Sequence, residues 1–186
     1  MLDGALRRTA ERLGVRFRFN ERGNPDGAAV VAVGGRGVQG VAREWCGPID
    51  LPDGFTVLFD NRICPNGFGY LLVAGGTGTL GAAVVKRHER LPDAFKRTAE
   101  WFSRAFGAPS VQSHTIAGSV DLFLPHSVVG PTGERYVGEA GGFCDFLFGF
   151  GIRLALQSGR LAAECILMGD DFDRRRQAFF GRRFEA

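Results

Sequence analysis

The sequence predicts a mixed α/β fold with α+β character, and three observations lead there. Residues 1–50 open with a helical pattern followed by apolar, strand-like runs. Residues 51–125 change texture to short alternating runs separated by Gly- and Pro-rich turns, with one long helical pattern among them. Residues 126–186 return to a strand, a tight glycine turn and two helices. The 186 residues suffice for one solid core or two small ones, and 45% hydrophobic with 23% charged residues reads as globular. No apolar run approaches the ~18–20 residues of a membrane span.

Each element has its own signal. Gly4 to Leu13 reads as a helix, because Ala5, Leu6, Thr9, Ala10 and Leu13 share a face, Asp3 can cap the start and Gly14 stops it. V-R-F-R-F (15–19) alternates like a half-buried strand, and A-A-V-V-A-V (28–33) runs apolar like a buried one. F-T-V-L-F (55–59) and F-G-Y-L-L-V (68–73) form a meander with T-L-G-A-A-V-V (79–85), joined by a G-G-T-G turn (75–78). Leu91-Pro92-Asp93 starts a helix with proline in its first turn, buries Phe95, Ala99, Phe102 and Phe106, and ends at Gly107. H-T-I-A (114–117) and S-V-D-L-F-L (119–124) are two further strand candidates. Arg135 to Val137 is a short strand leading through glycine turns to a helix that ends near Met168, and an arginine-rich helix follows from Phe172.

Charge and cysteine usage exclude several function classes. The net charge is +3, and Arg174, Arg175, Arg176, Arg182 and Arg183 crowd the C-terminus. No nucleic-acid module accompanies them, so they read as a solvated helix face. Cys46, Cys64, Cys144 and Cys165 are scattered without a C-x-x-C pair, and His88, His114 and His126 form no ligand spacing with them. Metal chemistry is not expected, and the sparse cysteines suit a reducing, cytoplasmic setting. The charged start, MLDGALRRTAERLG, does not read as a secretory signal.

Three glycine motifs could hold a ligand. G-R-G-V-Q-G (35–40) follows an apolar strand, as a dinucleotide fingerprint should, but Gly47-Pro48 cuts short the helix expected after it. G-T-G-T-L-G (76–81) follows Y-L-L-V-A and could be the cofactor loop of a short-chain dehydrogenase using Gly76, Gly78 and Gly81. A hairpin turn that needs positive φ is the more economical reading, because Leu91–Gly107 is a long helical pattern of its own and such a cofactor loop would sit near the start of its domain. In Y-V-G-E-A-G-G-F-C-D-F-L-F-G-F-G-I, Gly138, Gly141 and Gly142 turn the chain after a strand, and Gly149 and Gly151 sit where a helix begins. Free N–H groups at such a helix start suit an anion or a polarised carbonyl, and a plain tight connection is the alternative.

That third stretch resembles the second flavin motif of p-hydroxybenzoate-hydroxylase-type flavoproteins, most closely their geranylgeranyl-reductase branch. The family pattern runs about G-D-A-A-G-x-x-D-P-x-x-G-x-G-I-x-x-A-L-x-S-G. Here it stands as Gly138-Glu139-Ala140-Gly141-Gly142, Asp145, Gly149, Gly151-Ile152, Ala155-Leu156 and Ser158-Gly159. Glu139 replaces the usual Asp, Phe146 the Pro and Phe150 an acidic residue. The resemblance implies FAD as cofactor, with Glu139 toward the ribityl chain and the backbone from Phe148 through Phe150 to Ile152 toward the pyrophosphate and the flavin edge. A second match to the same branch, P-x-x-Y-x-W-x-F-P and then G-x-G, falls on Pro65, Phe68, Tyr70, Leu72, Val73 and Gly81-Ala82-Ala83. It implies an apolar pocket lined by Phe68, Tyr70 and Leu72, residues that an ordinary core strand would also place on one face.

The resemblance implies a partial FAD-binding α/β domain (1–50 and 126–186) with an inserted antiparallel substrate domain (51–125). The family's first βαβ unit, with its own G-x-G-x-x-G, has no counterpart within these residues. The implied activity is hydride transfer involving an apolar, isoprenoid-type substrate, with the chemistry carried by the flavin. No catalytic acid or base is assigned; Tyr70 and Cys64 are the pocket candidates, and each reads first as a structural residue. The implied partners are that substrate, a membrane surface reached through a lipid substrate, and either a second copy or another chain supplying the first unit. The nicotinamide-binding dehydrogenase and a non-catalytic remnant are the competing expectations.

Overall fold

In the computed structural model, residues 2–24, 26–35, 37–109, 115–121, 127–145 and 150–181 are described. They form a mixed α/β fold around a five-stranded antiparallel sheet. Its strands are β2 (Gly40–Pro48), β3 (Gly54–Leu58), β4 (Phe68–Ala74), β5 (Thr77–Val85) and β6 (Thr115–Val120), in the order β3-β4-β5-β2-β6. The β4–β5 connection is a two-residue hairpin in which Ala74 pairs with Thr77. Gly75 and Gly76 take φ of 56° and 73°, the left-handed conformation that a tight hairpin turn of this hand demands. The loop 75–78 is therefore the expected hairpin, and β4 leads through it into a strand, β5, and not into the helix that a dinucleotide loop would open.

Residues alternate across each strand, so the sheet has two distinct faces. Helix α2 (Leu91–Phe106) covers one of them. Leu71 and Val73 of β4, Leu80, Ala82 and Val84 of β5, and Leu91, Ala94, Phe95, Ala99 and Phe102 of α2 form a buried cluster. Gly69 lets the helix approach: a Cβ there would lie 2.6 Å from Thr98 Cγ2. Phe106 departs from the expected stripe. It is exposed at the last turn of the helix, which ends on Gly107 at φ 70°.

A second cluster gathers Val128, Val137, Phe143, Leu154, Leu161, Cys165, Phe172 and Phe180. It is built on α3 (Ile152–Met168) and α4 (Phe172–Phe180), packed beside the parallel pair β1 (Val30–Val31) and β7 (Arg135–Tyr136). The helix boundaries agree with the sequence pattern. Gly169 closes α3 in the left-handed conformation, and the Asp171 carboxylate caps α4 by accepting from the Arg174 N–H at 3.0 Å.

Four expectations need correction. Residues 15–19 form no strand: Val15, Phe17 and Phe19 are exposed, and their alternation finds no partner among the described residues. Only Val30–Val31 of the 28–33 run pairs. The candidates 114–117 and 119–124 contribute one strand, β6; His114 and residues 122–124 lie outside the described residues. The segment after G-R-G-V-Q-G is no interrupted helix but the nine-residue β2, paired on both edges. Helix α1 (Leu2–Arg12) is present, yet it buries no residue.

Candidate functional site

The turn after β7 is assembled from its glycines. Residues 138–141 make a single 3₁₀ turn, with Gly138 at φ 58° and Gly142 at φ 73°. A Cβ on Gly141 would lie 2.4 Å from the Tyr136 carbonyl oxygen, so the backbone closes on itself there. The Gly138 N–H donates to Ser158 Oγ at 3.0 Å, and that hydroxyl donates to the Ala155 carbonyl at 3.0 Å. Ser158, fully buried on α3, thus clamps the turn to the helix. Ala140 is buried beneath it.

Glu139 points out of this turn toward the end of β6. Its Oε1 accepts the Asp121 N–H at 2.6 Å, and Asp121 Oδ2 accepts the Gly37 N–H at 2.7 Å. A Cβ on Gly35 would lie 2.3 Å from Asp121 Cβ and 2.9 Å from Glu139 Oε1. Gly34, Gly35 and Gly37 on one side and the 138–142 turn on the other, more than a hundred residues apart, therefore share one carboxylate-lined junction. Beside it, burial and then the negative charges of Glu139, Asp121 and Asp145 push the Cys144 thiol up to about 11. Helix α3 starts at Ile152 after Gly151, which offers no side-chain cap, so its first N–H groups keep their capacity for an anion or carbonyl. Gly149, predicted at this position, lies outside the described residues, as do Phe146 and Phe148.

The face of the sheet opposite α2 carries the other predicted residues. Phe68, Tyr70 and Leu72 line a cavity of about 380 Å³ with Phe55, Ala42, Glu44, Thr79, Ala83, Val85, Gly118 and Val120. Strand register explains the grouping, because Tyr70 lies opposite Gly81, Phe68 opposite Ala83 and Leu72 opposite Thr79. Gly81 in turn lies opposite Glu44. The phenol crosses β5 over Gly81 and donates its hydroxyl proton to Glu44 Oε1 on β2. A Cβ on Gly81 would lie 2.3 Å from Tyr70 Cζ, so only glycine leaves room for this crossing. Burial, reinforced by the Glu44 carboxylate, pushes the Tyr70 hydroxyl well above the ordinary tyrosine range and keeps the proton on the phenol.

Phe150 belongs to both places. It directly precedes Gly151 at the start of α3, and it also lines the sheet cavity. Cys64 joins neither: it is fully buried on the helix side of the sheet, 3.3 Å from Thr98 Oγ1 on α2, with its thiol pushed up by burial. Glu44 and Asp121 were missed from the sequence. V-A-R-E-W-C, which carries Glu44, shows no strict apolar alternation and follows a glycine motif that suggests a helix.

Comparison with known proteins enlarges this picture. No protein-family profile matches the chain. A digeranylgeranylglycerophospholipid reductase of Methanosphaerula palustris is 28% identical over an alignment covering 78% of this chain and 43% of that protein. A geranylgeranyl bacteriochlorophyll reductase-like protein of Thermoplasma acidophilum superposes with a TM-score of 0.61 at 19% identity, covering 78% of this chain and 40% of its own. The flavin-dependent brominase Bmp2 superposes with a TM-score of 0.55 at 22% identity, over 76% of this chain and 39% of its own. The chain thus spans less than half the length of each. Over that span it shares the fold of these two structures, and it has a distant sequence relationship to the Methanosphaerula palustris reductase. Among the described residues, no helix is long and apolar enough to cross a membrane.

Proposed function

We propose that this chain carries the flavin-facing turn and the substrate face of an FAD-dependent oxidoreductase of the geranylgeranyl-reductase type. In this reading residues 1–50 and 126–186 belong to the cofactor-binding part and residues 51–125 to the substrate part. The observation that carries it is Phe150, whose side chain borders the sheet cavity while its backbone leads into the uncapped start of α3. A cofactor held at that helix start would therefore lie against the cavity. Bound there, FAD would supply hydride transfer. The residues present fit such a group: glycines 138, 141 and 142 keep the turn compact, and the start of α3 at Gly151 and Ile152 has no side-chain cap. Glu139 already accepts the Asp121 N–H through one oxygen. A ribityl hydroxyl would have to share it. The cavity, with its apolar walls, would take an apolar substrate, of which an isoprenoid chain is the form the reductase relative suggests.

A titration with FAD, followed by flavin fluorescence, tests this reading. Saturable quenching is expected, weakened about tenfold or more in Glu139→Ala, as loss of one charge-assisted hydrogen bond implies. Absence of saturable flavin binding up to millimolar FAD would remove the reading and leave a fold without its cofactor. Tight nicotinamide binding in its place would argue for a dehydrogenase, although the hairpin at Gly75-Gly76 does not provide that loop.

A further inference from the structure

The sheet cavity has apolar walls but not an apolar floor. Its two strongest hydrogen-bonding groups, Tyr70 and Glu44, are bonded to each other across Gly81. That bond uses the phenol proton and one carboxylate oxygen. The second oxygen of Glu44 has no protein partner, and no lysine or arginine pairs with it, among the described residues. A carboxylate set in an apolar recess without a cation needs a hydrogen-bond donor or a positive charge, and opposes any second negative charge brought beside it. Tyr70 cannot supply a donor to a ligand as well, because its only proton is already directed at Glu44.

We propose that Glu44, held in place by Tyr70, sets the specificity of this cavity: it selects an elongated apolar molecule bearing a hydrogen-bond donor, a hydroxyl or an ammonium, and rejects one bearing an anionic group there. The assignment presupposes the substrate face proposed above but adds a chemical requirement that an apolar pocket alone would not impose. The donor would engage the free oxygen of Glu44, with the chain lying along Phe68, Leu72 and Phe55. Tyr70 acts through Glu44 and is a positioning residue.

Three amphiphiles of one chain length test it: 1-decanol, decylammonium and decanoate, at about pH 8, where decanoate is an anion and decylammonium a cation. Binding to the 186-residue protein is followed by the amide shifts of β2, β4 and β5 in NMR spectra. Decanol or decylammonium is expected to bind about tenfold or more tightly than decanoate, equivalent to about 1.4 kcal/mol. In Glu44→Gln, which keeps an acceptor for Tyr70 but loses the charge, decanoate should gain and the difference should close. Tyr70→Phe should leave the rejection of decanoate in place while broadening the bound head-group position. If decanoate binds as tightly as the donors, or if Glu44→Gln leaves the difference intact, the specificity assignment is wrong while the pocket stands. If no amphiphile binds, or if Leu72→Trp at the exposed rim leaves all binding unchanged, the substrate face itself is misassigned and the specificity falls with it. Far-UV circular dichroism of each variant separates these outcomes from misfolding.

Discussion

Gly81 is the residue on which the cavity floor depends. Gly81→Ala would force the Tyr70 ring off the strand, and overpacking of this kind costs about 1–3 kcal/mol. The expected result in urea denaturation is a lowered midpoint, largely recovered in Gly81→Ala/Tyr70→Leu, where the smaller, shorter side chain need not cross β5. An undiminished loss in the double variant would mean that the glycine serves the backbone instead. Thiol chemistry offers a separate check. Cys46 is exposed, whereas Cys64, Cys144 and Cys165 are buried, each with its thiol pushed up. Iodoacetamide should therefore label Cys46 first. Cys144 should resist until the pH nears its folded value of about 11. The sign of the linkage follows from the same shift. A thiol whose folded pKa is raised stabilises fully below its ordinary value of 9.0, and that contribution is lost as pH climbs toward about 11. Melting temperature should fall across that window by less in Cys144→Ala than in the parent protein, and an equal fall would assign the alkaline loss to other groups.

At the level of elements, the clearest sequence signals were those whose partner lies in the same short stretch. Helix α2 was legible because Phe95, Ala99 and Phe102 recur on one face and Gly107 ends it, and the β4–β5 hairpin because two glycines sit between apolar runs. The hairpin gives a direct test: Gly76→Val puts a β-branched residue at φ 73° and should cost about 1–2 kcal/mol, while Gly75→Asn should be nearly neutral. Equal costs for the two would show that the turn is not of this type. Strand β2 was illegible for a physical reason. Its Val41 and Trp45 pack toward α2, whereas Ala42, Glu44 and Gly40 wall a cavity, so neither face shows uniform apolar alternation. Residues 15–19 failed in the opposite way. Their alternation is strict, but periodicity specifies a face and says nothing about which strand will pair with it. In the candidate site, the glycines and Glu139 could be picked out by resemblance to a flavin motif, and Phe68, Tyr70 and Leu72 by strand alternation. Asp121 and Glu44 could not, because each owes its position to pairings formed across the sheet or between distant loops.

At the scale of the whole molecule, the 186-residue polypeptide is expected to bind FAD weakly. On the proposed reading, the contacts for the cofactor lie around Glu139 and residues 150–152. A site limited to these contacts forgoes further hydrogen bonds to phosphate and ribose, each worth about 1.5–3 kcal/mol when charge-assisted. Fluorescence titration should return a dissociation constant weaker than about 1 μM, the affinity equivalent to roughly 8 kcal/mol. Submicromolar binding by a monomer would show that these residues hold the cofactor unaided. The junction at Glu139 also has a history in time. The hairpins of the sheet close between near neighbours, a step that takes about 1–10 μs. The contacts that bring β1 to β7 join residues such as Gly27 and Thr132, which are 105 positions apart. Such long loops close at a larger entropic cost and are favoured only once other structure has shortened the effective distance. During refolding, then, the β3–β4–β5 meander is expected early, and the pairings of β2 with β6 and of β1 with β7 late. A newly made chain would offer the Phe68, Tyr70 and Leu72 face of that meander to solvent before the distant glycine turn could take hold of anything.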